Sequence, residues 1–360
     1  MERRSFVQGA GLAGVLATGM APAIVHAQAN IRWRLASSFP KSLDTIFGGA
    51  ETVARKVNEM SGGKFTISTH AAGELMPAFG VVDGVQNGTV ECCHTCAYYF
   101  FGKDETFAIG TSIPFGLNSR QMTAWMYEGN GGKLMREFYA NYNIVNFSAG
   151  NTGAQMGGWY RKEIKSAKDI QGLKFRVGGF AGKVIERMGG VPQNIPGGEI
   201  YQSLEKGTID AAEWIGPYDD LRLGLHKVAK HYYFPAWWEG STQFSVYINS
   251  KQWNSLSAEY KAIIEQASRA AHVTCQARYD SHNPGSLKQL IAEGAKLSRF
   301  PKDFMDAAFK ASREVYAELN QKNANWKKIY ADYSRFLGDQ VRWEAVAESN
   351  YSQYLAAQKL

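Results

Sequence analysis

Apolar and basic positions alternate with period two at Ile31-Arg32-Trp33-Arg34-Leu35 and again at Leu173-Lys174-Phe175-Arg176-Val177. Both stretches predict strands with one face in a core. Each leads through small residues into a segment of helical periodicity, 43–60 and then 182–188. Each helix ends in paired glycines, Gly62-Gly63 and Gly189-Gly190, which suit a C-terminal stop. Gly73-Glu74-Leu75 and Gly198-Glu199-Ile200 each predict the opening of a second helix. Val85-Gln86-Asn87-Gly88-Thr89-Val90-Glu91 and Leu204-Glu205-Lys206-Gly207-Thr208-Ile209-Asp210 then predict a helix ending at Gly and a strand starting at Thr-aliphatic-acid. Motifs matched in one order imply a duplicated βαβ unit, not a short solenoid repeat.

Two such units predict an α/β fold of two lobes, and open α/β sheets take ligands beyond the carboxyl ends of their strands. In the register of the duplication His94 falls opposite Glu213 and Thr95 opposite Trp214, so these strand tips should face a shared cleft. Residues 243–248 predict a strand returning to the first lobe. Residues 257–282 predict one long helix, interrupted at Asn283-Pro284-Gly285. Further helices fill the chain to Leu360, with Trp326, Trp343 and Tyr354 on amphipathic faces. The expected organisation is a signal segment at 1–29, a first lobe mainly at 30–151 and a second mainly at 152–242. A return strand and long helix follow at 243–282, then C-terminal helices at 283–360.

The N-terminus places Arg3-Arg4 before a weakly apolar Gly/Ala-rich stretch, 9–24, too short and too polar for a membrane span. Small-residue sites follow, so cleavage is expected before Gln28 or Asn30. Paired arginines with a weak apolar core point to twin-arginine export of a folded protein into the periplasm. Cleavage would remove two arginines and one glutamate from 40 basic and 33 acidic residues, leaving a net charge of +6. The basic residues are scattered, which argues against nucleic acid and allows a mild field for anions.

Arg176 is the first candidate for binding. It ends a duplicated strand, precedes Gly178-Gly179, which would let a ligand approach the backbone, and carries a fork that matches a carboxylate. Gln155 and Glu213 form a second candidate pair, because amide and carboxylate oxygens are ligands of hard cations such as Na⁺ and Ca²⁺. Cys93-His94-Thr95-Cys96 is formally a C-x-x-C motif, but it follows a strand instead of opening a helix, and Cys275 lies far away. Inert buried thiols are expected. Nucleophile-elbow, zincin, P-loop and dinucleotide motifs are missing from the sequence, and no catalytic residue is assigned. The competing readings are an exported metallo-enzyme using His94 with Glu213 or Glu239, and a purely structural periplasmic protein.

Over nearly its whole length the chain resembles the solute-binding proteins of tripartite ATP-independent periplasmic (TRAP) transporters, most closely the branch that binds 2-oxo acids such as pyruvate with a cation. The resemblance is carried by Trp33-Arg34-Leu35-Ala36-Ser37-Ser38-Phe39-Pro40, by 88–95, by Gly150-Asn151-Thr152-Gly153-Ala154-Gln155-Met156-Gly157-Gly158, by 175–183 and by 207–214. It implies a two-lobed periplasmic-binding-protein-like fold with crossing strands and a long interlobe helix. It implies that Arg176 binds the ligand carboxylate, and that Gln155, Glu213 and the Trp214 carbonyl hold Na⁺ or Ca²⁺. Asn151, His94, Tyr98, Tyr99, Phe180 and Glu239 would complete the pocket. The implied partners are TRAP membrane subunits and a second copy of the chain exchanging C-terminal helices. Lactate, dicarboxylate or amino-acid receptors of the same fold are the nearest alternatives.

Overall fold

The computed structural model describes residues 30–358, so the paired arginines and the signal segment lie outside the described residues. A first sheet has the order β2-β1-β3-β10-β4, formed by β1 (Ile31–Ser37), β2 (Phe65–His70), β3 (Cys92–Thr95), β4 (Ile144–Asn151) and β10 (Gln243–Asn249). A second sheet has the order β11-β9-β5-β8-β6-β7. Its strands are β5 (Trp159–Tyr160), β6 (Lys174–Arg176), β7 (Val191–Gln193), β8 (Ala211–Ala212), β9 (His231–Phe234) and β11 (Lys296–Arg299).

Each sheet has three parallel strands followed by an antiparallel one: β2-β1-β3 then β10, and β7-β6-β8 then β5. The chain crosses from β4 into β5 and crosses back from β9 into β10. These are the crossing strands expected from the resemblance, and they keep the two lobes from being independent units. The helix Ala258–Ala292 packs on β4, on the helix Ile46–Met60 of the first lobe, and on the helix Pro217–Leu223 of the second.

The duplication is real, but its register differs from the one the alternation suggests. Leu35 pairs with Cys92 in one sheet, and Phe175 pairs with Ala211 in the other. Arg176 therefore corresponds to Ala36, not to Arg34. Two acids fix this register. Glu91 accepts the Arg34 amide at 2.7 Å, and Asp210 accepts the Lys174 amide at 3.0 Å. Because those acids turn back to the neighbouring strand, β3 and β8 begin just after them instead of at Thr89 and Thr208.

The second helix of the first lobe starts later than expected, whereas that of the second lobe opens at Ile200, within the expected Gly198-Glu199-Ile200. Gly73 sits in a turn with φ +88°, closed by its amide to the Met76 carbonyl at 3.1 Å. Pro77 and Pro196, both near φ −57° and ψ 149°, instead open matching 3₁₀ turns, which lead into Val81–Gln86 and Ile200–Glu205. Proline suits that place because it has no N–H to leave unbonded.

The long helix runs unbroken through Pro284 to Ala292. One lost bond in a helix interior costs about 3 kcal/mol, and packing on both sides of the proline offsets it. Asn283 accepts the Tyr218 amide at 3.0 Å, Tyr218 stacks on His282, and Leu290 is fully buried. β11 was not expected among the C-terminal helices; it adds an edge strand parallel to β9. The remaining tail forms Lys302–Lys322, Ala324–Val346 and Glu348–Ala356. Trp326 is buried there, whereas Trp343 and Tyr354 are exposed. Among the described residues no helix is long and apolar enough to cross a membrane.

Candidate functional site

The carboxyl ends of β3, β4, β6 and β8 converge between the sheets, and the residues following them are buried. Of the ten residues singled out from sequence, nine are at most 5% exposed; Tyr99 is half-buried. The lobes are closed over them. Asp44 of the first lobe meets Tyr218, Arg222 and Arg278 at 3.2–3.4 Å, and Lys183 reaches Glu105 at 2.9 Å.

Arg176 is fixed by three bonds. Its Nε donates to the Ile195 carbonyl at 2.9 Å, and Nη1 donates to the Glu213 carbonyl at 2.7 Å and to Glu213 Oε1. The guanidinium lies 5.1 Å from the Trp214 ring centroid, within cation–π range. Glu213 Oε1 also accepts the Gly178 amide at 2.7 Å. Burial pushes the Glu213 carboxyl up, against the opposing pull of Arg176 and that amide. Gly178 and Gly179 do permit a close approach, and the group that approaches is Tyr98 of the other lobe. A Cβ on Gly179, at φ +57°, would stand 2.0 Å from the Tyr98 ring.

Gln155 donates from Nε2 to Thr242 Oγ1 at 2.9 Å, and that hydroxyl donates to Glu239 Oε2 at 2.5 Å. Burial, reinforced by Glu213, raises the Glu239 carboxyl well above its ordinary range. The Met156 amide bonds to the Ile215 carbonyl at 3.0 Å, which ties the Gln155 loop to the segment after β8. Asn151 Oδ1 caps the Gly153 amide at 2.9 Å. His94 is pushed down to about 4 by burial, so the neutral ring donates from Nε2 to the Ala149 carbonyl at 3.2 Å. Its ring packs between Phe39 and Phe244.

Five buried atoms of this set have no partner: Arg176 Nη2, Asn151 Nδ2, Gln155 Oε1, Glu213 Oε2 and His94 Nδ1. The Trp214 carbonyl accepts no hydrogen bond among the described residues. Buried polar groups are normally satisfied. Of the twenty buried side-chain atoms without a hydrogen-bond partner among the described residues, these five stand on four chain segments at or just after strand ends of both lobes, which is where a ligand site is expected. Two are donors suited to a carboxylate or carbonyl. The oxygens of Gln155, Glu213 and Trp214 are hard acceptors and fit a cation.

Phe180 is not brought into this cluster. Its ring stacks on Trp326 at 5.2 Å and on Tyr316 at 5.9 Å, anchoring the C-terminal helices. Tyr99 stands at the margin, against Phe79 and Tyr98. Thr242, which links Gln155 to Glu239, escaped the sequence reading. Its one signal is its place at the start of the returning strand. The four cysteines are buried, and burial raises each thiol, so none is poised as a thiolate.

Two α/β lobes with crossing strands, closed on a cluster of unpaired buried polar atoms, define a periplasmic-type solute-binding protein. Residues 36–323 match the model of the bacterial extracellular solute-binding proteins, family 7, and the chain belongs to that family, the solute receptors of TRAP transporters. It is 47% identical over 328 residues to the monocarboxylate 2-oxoacid-binding periplasmic protein of Nostoc sp., covering 91% of this chain and 90% of that one. A TRAP transporter solute-binding protein from Bordetella bronchiseptica, a dimer with calcium and picolinate, superposes with TM-score 0.90 at 48% identity, covering 91% and 98% of the two chains. One from Pseudoalteromonas atlantica, with sodium and pyruvate, gives 0.88 at 36% identity over 92% and 100%.

Proposed function

We propose that this chain captures a short 2-oxo monocarboxylate of the pyruvate class, together with Na⁺ or Ca²⁺, and hands it to TRAP membrane subunits. The observation that carries the reading is the pairing of orphans: the Arg176 Nη2 donor stands beside a Glu213 carboxylate with a free oxygen. A ligand anion alone would meet Glu213 as a like charge. A cation there supplies the missing positive charge and bridges protein and ligand oxygens. Gln155, Glu213 and the Trp214 carbonyl would hold it, Arg176 and Asn151 would orient the carboxylate, and Tyr98 and Glu239 would close the pocket. The ligands of the Bordetella and Pseudoalteromonas proteins support this assignment.

Burying a carboxylate is costly unless it is paired. Arg176 and the cation share that task, so acid and ion should bind with positive coupling. Closure follows from linkage, since contacts from both lobes exist only in the closed form. The chain acts as a receptor without turnover, with boundaries between the lobes near 151 and 242. Export would use the Arg3-Arg4 signal. The exposed Trp343, Val346, Tyr351 and Tyr354 suit a homodimer through the C-terminal helices.

The test is calorimetric titration of EDTA-stripped mature protein with pyruvate, 2-oxobutyrate, lactate and succinate, each with Na⁺, Ca²⁺ or neither. Binding of 2-oxo acids that weakens without the cation is expected. Preference for lactate or succinate would move the assignment to another ligand class, and chemical change of the recovered acid would revive the enzyme reading.

A further inference from the structure

The helix Ala258–Ala292 turns one face toward the site, carrying His272, Cys275, Tyr279 and Asn283 at spacings of three and four. His272 Nδ1 lies 3.2 Å from the carbonyl of Gly150, the residue before Asn151. A Cβ on Gly150 would meet Cys275 Sγ at 3.3 Å. About 10 Å beyond His272 along the helix axis, the Tyr279 hydroxyl donates to Asp219 Oδ2 at 3.0 Å. The same oxygen accepts the Trp214 indole N–H at 3.3 Å. One helix face thus contacts the end of β4 in the first lobe and the segment after β8 in the second.

Tyr279 and Asp219 are both fully buried. We propose that Asp219 and Tyr279 are positioning residues that set the stance of Trp214 beneath Arg176 and tie the solute site to the spanning helix. The inference rests on reading Trp214 as part of that site. Trp214 offers its ring to the guanidinium and its carbonyl to the cation, so a turn of the residue displaces both. Its indole N–H is buried and needs an acceptor, which Asp219 supplies. The Tyr279 hydroxyl holds the same carboxylate oxygen in place, so a shift of the helix reaches the site through one shared atom.

The experiment is pyruvate titration, with Na⁺ and with Ca²⁺, of mature wild type, Tyr279→Phe, Trp214→Phe and the double variant. Loss of this buried hydrogen bond predicts roughly tenfold weaker binding for Tyr279→Phe. No further loss is expected when the same change is added to Trp214→Phe. Asp219→Asn retains an acceptor and should bind like wild type, whereas Asp219→Ala should not. Unchanged affinity in Tyr279→Phe, or equal losses in both backgrounds, overturns the relay. A second readout is the Trp214 indole ¹H–¹⁵N resonance, assigned by its disappearance in Trp214→Phe. It should move in ligand-free Tyr279→Phe, and an unmoved resonance also overturns the relay. If wild type takes up no pyruvate with either ion, the solute assignment fails separately and the indole resonance alone decides the relay.

Discussion

At the scale of single residues, the site is a contest between burial and pairing around Arg176 and Glu213. Burial works against the charge of Arg176, yet Glu213 and its acidic surroundings hold it above its ordinary value. Burial works against Glu213 as well, and there one guanidinium is not enough to offset it. A cation would complete the compensation, and this makes Glu213 the residue that couples ion to acid. Glu213→Gln should therefore bind pyruvate with an affinity that no longer changes between EDTA and either cation, as titration would show. Persisting cation dependence would assign the ion elsewhere. Arg176→Lys keeps the charge but loses the planar fork and its fixed bonds to Ile195 and Glu213. Breaking such a buried charged contact predicts roughly hundredfold weaker binding, and near-wild-type affinity would mean that charge alone selects the ligand.

At the scale of elements, glycine and tyrosine close the cleft together. Gly179 has φ +57° and receives the Tyr98 ring where a side chain would stand. Gly179→Ala strains the backbone by roughly 1 kcal/mol and obstructs Tyr98 only when the lobes meet. Small-angle scattering should show this variant staying extended at pyruvate and cation concentrations that compact the wild type; equal compaction would count against Tyr98 as a closing element. The Gly-Gly pair was legible in sequence as a place of close approach, though not which group approaches. Strand tips were legible too, because Thr-aliphatic-acid recurs in both halves and leads to His94 and Glu213. The register that sets His94 opposite Glu213 agrees with the strand pairing. The alignment of β1 with β6 was not legible, since both Arg34 and Arg176 fit an apolar-basic alternation. Only the bonds from Glu91 and Asp210 distinguish them. Strands β5 and β8 have two residues each, too few for any period, and Pro284 reads locally as a stop that tertiary packing overrides. Phe180 follows the glycines directly, yet its ring belongs to the stack under the C-terminal helices.

At the scale of the whole molecule, the response to pH is a balance between buried acids and buried histidines. Burial raises Asp219 to about 7 and Asp220 to about 6, with hydrogen bonds from Tyr279 and Tyr232 opposing it, and it lowers both His94 and His272 to about 4. Raised acids hold their protons more tightly in the folded state, so they cost stability as pH climbs from about 4 to about 7. The histidines do the reverse between about 4 and 6.5, because the unfolded chain binds their protons more readily. Glu213 and Glu239, also raised by burial, add to the acid side, and a single replacement isolates one acid from the rest. Asp219 Oδ1 has no partner, so the Asp219→Asn amide can occupy that position while the carbonyl still accepts from Tyr279 and Trp214. Below about pH 4 the aspartic acid and the asparagine are both neutral and the two proteins should be similarly stable. As pH rises to 7 the wild type alone must ionise a buried carboxyl, so the variant gains on it, and above 7 the gap stops growing. Thermal melts of the ligand-free, EDTA-treated proteins at pH 5 and pH 8 should therefore show the variant's advantage widening by several degrees. A gap that is constant or narrows would mean that Asp219 is ionised and compensated in the folded receptor, with a charge partner the hydrogen bonds of Tyr279 and Trp214 do not provide.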